Sequence, residues 1–146
     1  MRAVIQRVSR AKVDVEGKTV GQIEKGLLVY LGVGLDDTEK DAKFLAEKIP
    51  SLRIFADLQD KMNLSVSDVG GSILLISNFT LYGDCQKGRR PGFDNAARPE
   101  LAQKLYELVV ELIKKQGVHI QTGVFAAKML VESVNDGPVT FILNSR

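Results

Sequence analysis

The run "GLLVYLGVG", from Gly26 to Gly34, constrains this chain most. It is almost unbroken apolar, bounded by glycine and too short for a typical helix, so it reads as a strand buried on both faces. "SILLISNFTL", from Ser72 to Leu81, is a second run of this kind, and it ends in hydroxyl and amide side chains. Strands like these need cover on both sides.

The rest of the chain offers that cover. Arg2 to Val15, with Val4, Val8, Val13 and Val15 among its apolar positions, leads through "EGKT" into "VGQI" and predicts a long N-terminal hairpin. Asp36 or Asp37 can cap a helix in which Ala42, Leu45, Ala46 and Ile49 fall at helical spacing until Pro50 stops it. "LRIFAD" reads as a strand and "DKMNLSVSDVGG" as an irregular connection. Pro99 opens the longest helix, whose stripe of Leu101, Leu105, Leu108, Val109 and Leu112 ends at Gly117. "VHIQTGVF", "MLVESV" and "VTFILN" add strands. Strands in hairpins, interrupted by two helices, predict an α+β fold with mixed, mainly antiparallel sheets.

The 146 residues are expected to form a single domain, with 45% hydrophobic and 26% charged residues. No stretch approaches the roughly 18 apolar residues of a membrane span. The N-terminus alternates polar and apolar residues, unlike a signal peptide, so a cytoplasmic location without membrane association is expected. A single cysteine, Cys85, and a single histidine, His119, exclude an internal disulfide and a Cys/His zinc site. No carboxylate-only Mg²⁺ site is signalled, so neither metal nor cofactor is expected. "GVGLDD" lacks the full dinucleotide fingerprint, and there is no P-loop.

A net charge of +2 says little about a nucleic-acid partner. Its placement says more, because Tyr82 to Arg98 carries Lys87, Arg89, Arg90 and Arg98 against only Asp84 and Asp94. His119 is a conceivable base for a serine or for Cys85, but nothing near a serine resembles a nucleophile elbow. "SVNDGPVTFILN", Ser133 to Asn144, has the pattern of a hairpin turning at Asn135-Asp136-Gly137. Pro138 disturbs that reading, since proline cannot donate to a ladder and its preceding bond adopts the cis form at a cost of only about 0.5–1 kcal/mol.

In order and spacing, "MRAVIQRV", "GLLVYLGVG", "DTEKDAKFLAEKIPSLRIF", "KMNLSV", "ISNFTLYGDCQKGRRPGF" and "VNDGPVTFILNS" resemble the D-aminoacyl-tRNA deacylases, formerly D-tyrosyl-tRNA deacylases, over essentially the whole chain. The family's two signatures are matched by "SNFTL" and "NDGPVT". The resemblance implies sheets forming a sandwich or pseudo-barrel with two main helices packed against them. It also implies a homodimer with active sites at the subunit interface that hydrolyses the ester of D-aminoacyl-tRNA and removes glycine mischarged on alanine tRNA. Gly137-Pro138, in cis, would reach into the partner's site and reject L-amino acids through backbone alone. Ser77, Asn78, Phe79 and Thr80 would form the catalytic segment, with backbone N–H groups holding the oxyanion and a tRNA ribose hydroxyl assisting water. Thr80 as nucleophile is the competing mechanism, and it lacks a visible base. Lys87, Arg89, Arg90 and Arg98 would meet acceptor-end phosphates, and Phe79 would stack on the terminal adenine.

Two positions depart from the family pattern. Asn78 stands where glutamine is usual, and the usual "FGA" is "FAA", Phe125 to Ala127, followed by Lys128 in place of an acid. The departures favour an alternative, an RNA-end-binding module without catalysis. The methyl of Ala126 would narrow a pocket wall.

Overall fold

The computed structural model describes residues 1–146. Its first strand, β1 (Arg2–Val15), organises the molecule. It runs antiparallel to β2 (Lys18–Ile23) through its second half and to β3 (Gly26–Gly32) through its first, and it pairs with β8 (Leu130–Asn144) along nearly its whole length. Between β1 and β2 the turn is Glu16-Gly17, with φ of +50° and +77° and Val15 facing Lys18. Positive φ at both central residues matches the twist of a tight hairpin, and glycine adopts it without a Cβ penalty.

On its other edge β3 pairs in parallel with β6 (Ser72–Ser77), which pairs in parallel with β7 (Ile120–Thr122). Parallel neighbours need crossovers. The first contains α1 (Glu39–Ser51) and a small β4–β5 hairpin (Phe55–Ala56, Met62–Leu64); the second contains α2 (Pro99–Lys115). Leu27, Val29, Leu31, Ile73 and Leu75 face the helices, where Ala42, Leu45, Ile49, Leu105, Val109 and Ile113 complete the main core. Leu28, Leu74 and Ile76 point to the opposite face and pack with Val8, Ala11, Val13 and Ile23. The two central strands are thus buried on both faces, as their composition predicts, and each such aliphatic contributes about 1.5–3 kcal/mol of burial.

The sheet rolls almost closed. A side chain at Gly21 on β2 would lie 2.6 Å from the Thr122 carbonyl oxygen on β7, so glycine there lets the two strands abut. The result is the expected α+β architecture, a mixed pseudo-barrel with two helices against it.

Several local expectations need correction. Neither Asp36 nor Asp37 caps α1; Thr38 does, with its N–H and hydroxyl both donating to Asp41 Oδ2 at 2.9 Å. Pro50 lies inside the last turn of α1, which continues to Ser51. "LRIFAD" contributes only Phe55–Ala56 as strand, and the connection after it contains β5. "VHIQTGVF" contributes only Ile120–Thr122. "MLVESV" and "VTFILN" are one strand, β8, since the chain pairs with β1 in the same direction before and after Gly137-Pro138. Asn135-Asp136-Gly137 is therefore no hairpin turn. Residues 136–139 bulge out opposite the single residue Arg7, because Asn135 faces Val8 while Thr140 faces Gln6.

Candidate active site

β6 delivers Ser77 to the edge of the barrel, and the Asn78 N–H extends the ladder one step by donating to Leu31 O at 2.8 Å. The chain then tightens into a 3₁₀ turn, Phe79–Tyr82, capped by Asn78. Asn78 Oδ1 accepts from the Thr80 N–H at 3.1 Å and the Thr80 hydroxyl at 2.6 Å. Asparagine is among the best caps because its short amide reaches back to the first turn, which gives the departure at this position a local physical reason. Phe79, as first residue of the turn, carries an N–H that the turn itself cannot satisfy. Of the N–H groups expected to meet an oxyanion, Asn78's is engaged and Phe79's is the one freed by the turn geometry.

Thr80 is exposed, and its hydroxyl proton is committed to Asn78. No base stands beside it. His119 Nδ1 is 3.1 Å from Ser72 Oγ, at the opposite end of β6 from Ser77 and roughly 16 Å away along the strand. The other ring nitrogen of His119 meets Gln121, an amide where a triad would place a carboxylate. Phe79 is 56% exposed and meets Phe93 edge to face, with ring centroids 5.1 Å apart.

The basic loop is moored next to this turn. Leu35 N–H donates to Asn95 O and Ala97 N–H to Val33 O, both at 3.0 Å, pinning the loop's return to the end of β3. Further out, Asp84 and Gly92 exchange backbone hydrogen bonds at 2.8 and 2.9 Å, so Lys87, Arg89 and Arg90 occupy an exposed tongue. Arg98 is exposed immediately before α2. None of the four cations is in an ion pair.

Gly137 and Pro138 are exposed on the β8 bulge, and the bond between them is cis. Asn135 spans the base of the bulge, its Nδ2 donating to Arg7 O at 2.8 Å and Val139 O at 3.2 Å. Arg7 crosses the bulge from the other side, with Nε 2.9 Å from Asp136 Oδ2 and Nη1 donating to Ile54 O at 2.7 Å. Sequence reading missed both roles: Arg7 is one of several charges on β1, and Asn135 has the signature of a turn residue.

One chain does not bring the two motifs together. Ser77 pairs with Leu31, which pairs with Ala3, and Ala3 also faces Leu143 of β8. The bulge lies opposite Arg7, four residues further along β1 or roughly 13 Å, with β1 and β3 between it and β6. Ala126 lies in an exposed turn with φ of +60°.

The class so defined is a barrel-like α+β scaffold presenting an amide- and hydroxyl-bearing strand end beside a free basic loop, without an acid–base dyad. The D-Tyr-tRNA(Tyr) deacylase family model matches residues 4–144. Proteins named D-aminoacyl-tRNA deacylase from Fervidobacterium nodosum and Clostridioides difficile are 62% and 61% identical, over 100% and 99% of this chain and 98% and 97% of theirs. Among solved structures, a c-Myc DNA Unwinding Element Binding Protein aligns with TM-score 0.93 and 40% identity, covering 100% of this chain and 99% of that one. A probable eukaryotic D-amino acid tRNA deacylase shares the fold at TM-score 0.86 and 16% identity, covering 98% of each chain. The chain belongs to the D-Tyr-tRNA(Tyr) deacylase family.

Proposed function

We propose that this chain hydrolyses the ester between a D-amino acid and the terminal ribose of tRNA, releasing the free amino acid and tRNA. Water adds to the ester carbonyl carbon, the bond to the ribose oxygen breaks, and that oxygen leaves with a proton. The backbone N–H of Phe79 stabilises the developing oxyanion, with Ser77 and Asn78 fixing the strand end from which it projects. Thr80, hydrogen-bonded into Asn78 and without a base, is not the nucleophile. The neighbouring ribose hydroxyl assists water, and because an aminoacyl ester is already activated, positioning supplies much of the rate.

Two copies build each site. In this reading the Gly137-Pro138 bulge of one subunit enters the site formed by Ser77–Thr80 of its partner and contacts the α-carbon substituents through backbone alone, which leaves every D-side chain free. Glycine has no side chain to exclude, so glycine mischarged on alanine tRNA is also removed. The observation that carries this reading is that Phe79 and Thr80 of one motif and Gly137 and Pro138 of the other are exposed yet stand at opposite ends of the β1–β3 pair, in a chain that matches the family model over residues 4–144. The edge strand β8 supports pairing, since it exposes Leu130 (76%), Ile142 (70%), Val134 and Phe141. Lys87, Arg89, Arg90 and Arg98 neutralise phosphates of the acceptor end, and Phe79 stacks on the terminal base.

The test is amino-acid release from D-tyrosyl-, L-tyrosyl- and glycyl-tRNA. Release of D-tyrosine and glycine with the L-ester intact is expected. A second reading, a nucleic-acid-binding module without catalysis, draws on Asn78 and on the 40%-identical structure named for DNA binding. Binding of tRNA with all three esters intact would establish it.

A further inference from the structure

The 3₁₀ turn that follows the strand end is clamped at its last residues, Leu81 and Tyr82. Tyr82 closes the 3₁₀ turn, and its hydroxyl donates to Asp37 Oδ2 at 3.2 Å. Asp37 is buried, its side chain 7% exposed, and is itself held by the Met1 amine at 2.6 Å on Oδ1 and the Gly34 N–H at 2.6 Å on Oδ2. Arg2 adds a second hold, donating from Nη1 to Leu81 O at 2.8 Å and lying over the Tyr82 ring 5.2 Å from its centroid. The floor beneath is glycine. A Cβ at Gly34 would come within 2.7 Å of the Tyr82 ring, and one at Gly32 within 3.0 Å of Asn78 O and 3.1 Å of Leu81 Cβ. The "GVG" at the end of β3, which fits no nucleotide motif, has its use here: it lets the turn lie flat against the strand.

We propose that Tyr82, Asp37 and Arg2 are positioning residues for hydrolysis, fixing the 3₁₀ turn on its glycine floor so that the Phe79 N–H meets the oxyanion in one orientation. The inference rests on Ser77–Thr80 being the hydrolytic segment. None of the three touches substrate. They act through a rigid turn whose displacement by a fraction of an ångström is costly, because oriented donors lose their effect steeply with misplacement. Burial, followed by the negative Asp37 beside it, pushes the Tyr82 hydroxyl up to about 12, so it stays protonated and donating across the neutral range.

Tyr82→Phe removes only the hydroxyl. It is expected to lower kcat on D-tyrosyl-tRNA about tenfold with KM within about twofold of wild type, and to speed hydrogen exchange at the Leu81 and Gly83 amides, with little change in Tm. Arg2→Lys, which keeps the charge and loses the planar contact with the ring, should fall between the two. Full kcat in Tyr82→Phe alongside an active wild type would overturn the positioning role alone. A wild-type protein inactive on all three esters would overturn the hydrolytic reading of the segment, and the positioning role with it.

Discussion

At the scale of single residues, Gly137 and Ala126 make opposite predictions. A Cβ at Gly137 would meet nothing nearer than Asn135 Oδ1, at 3.7 Å, so the isolated chain has room for it. Gly137→Ala should therefore leave stability within about 0.5 kcal/mol of wild type by denaturant unfolding, yet lower kcat/KM on D-tyrosyl-tRNA at least about tenfold. Unchanged kinetics would mean that the bulge does not approach substrate. Ala126 sits at φ +60°, where an L-residue is strained and glycine is not. Ala126→Gly should raise stability by about 0.5–1 kcal/mol, measured the same way, and a loss would contradict the strain assigned to this turn. The strand end at "SNFTL" was legible in the letters, because a change from apolar to hydroxyl and amide side chains marks it, whereas its reading as a motif came only from the family resemblance. The capping role of Asn78 was not legible, since it depends on the chain tightening into a 3₁₀ turn that no periodicity announces.

At the scale of elements, the start of α1 carries a pH-dependent contribution to stability. The Arg146 hydrogen bond, joined by those from Thr38 and Ser145 against the opposing effect of burial, holds Asp41 well below its ordinary 3.8. The unfolded chain then takes up the proton first. This contribution is complete above about pH 3.8 and is lost as pH falls towards the depressed folded value. Asp41→Asn should be less stable than wild type at pH 7, and the difference should shrink in melts taken below about pH 4. A difference independent of pH would contradict the assignment.

The basic tongue makes an ionic prediction. Removing both Arg89 and Arg90 should raise KM for tRNA and flatten the dependence of log KM on log salt by about two contacts' worth, leaving kcat near wild type. An unaltered slope would place these residues away from the phosphates. Elements with strong apolar periodicity were legible: β1, β3 and α2 lie where the sequence puts them, and β6 begins there but ends at Ser77, before the expected Leu81, because the chain tightens into the 3₁₀ turn Phe79–Tyr82. β8 was misread as two strands because Asn-Asp-Gly is hairpin chemistry, and only pairing with β1 on both sides of Gly137-Pro138 reveals one continuous strand with a bulge. Asp37 was drawn away from capping α1 by the Met1 amine, a partner 36 positions distant that local sequence could not indicate.

At the scale of the whole molecule, the arrangement explains why the candidate site was only half legible. Each motif can be read in one chain, but the register of β1 holds them apart, and the proposed function joins them only across two copies. The exposed apolar residues of β8 are consistent with that proposal, in which a rigid barrel supplies backbone and a second copy supplies the chiral gate. The most direct test mixes two disabled chains. Asn78→Ala disrupts the turn and Gly137→Val obstructs the bulge, and each homodimer should be inactive on D-tyrosyl-tRNA. After co-refolding in equal amounts, half of the dimers are mixed and each mixed dimer holds one intact pairing of turn and bulge, so about one quarter of wild-type activity should return. Activity that stays at the level of the separate variants would place both motifs in one subunit's site and contradict the account.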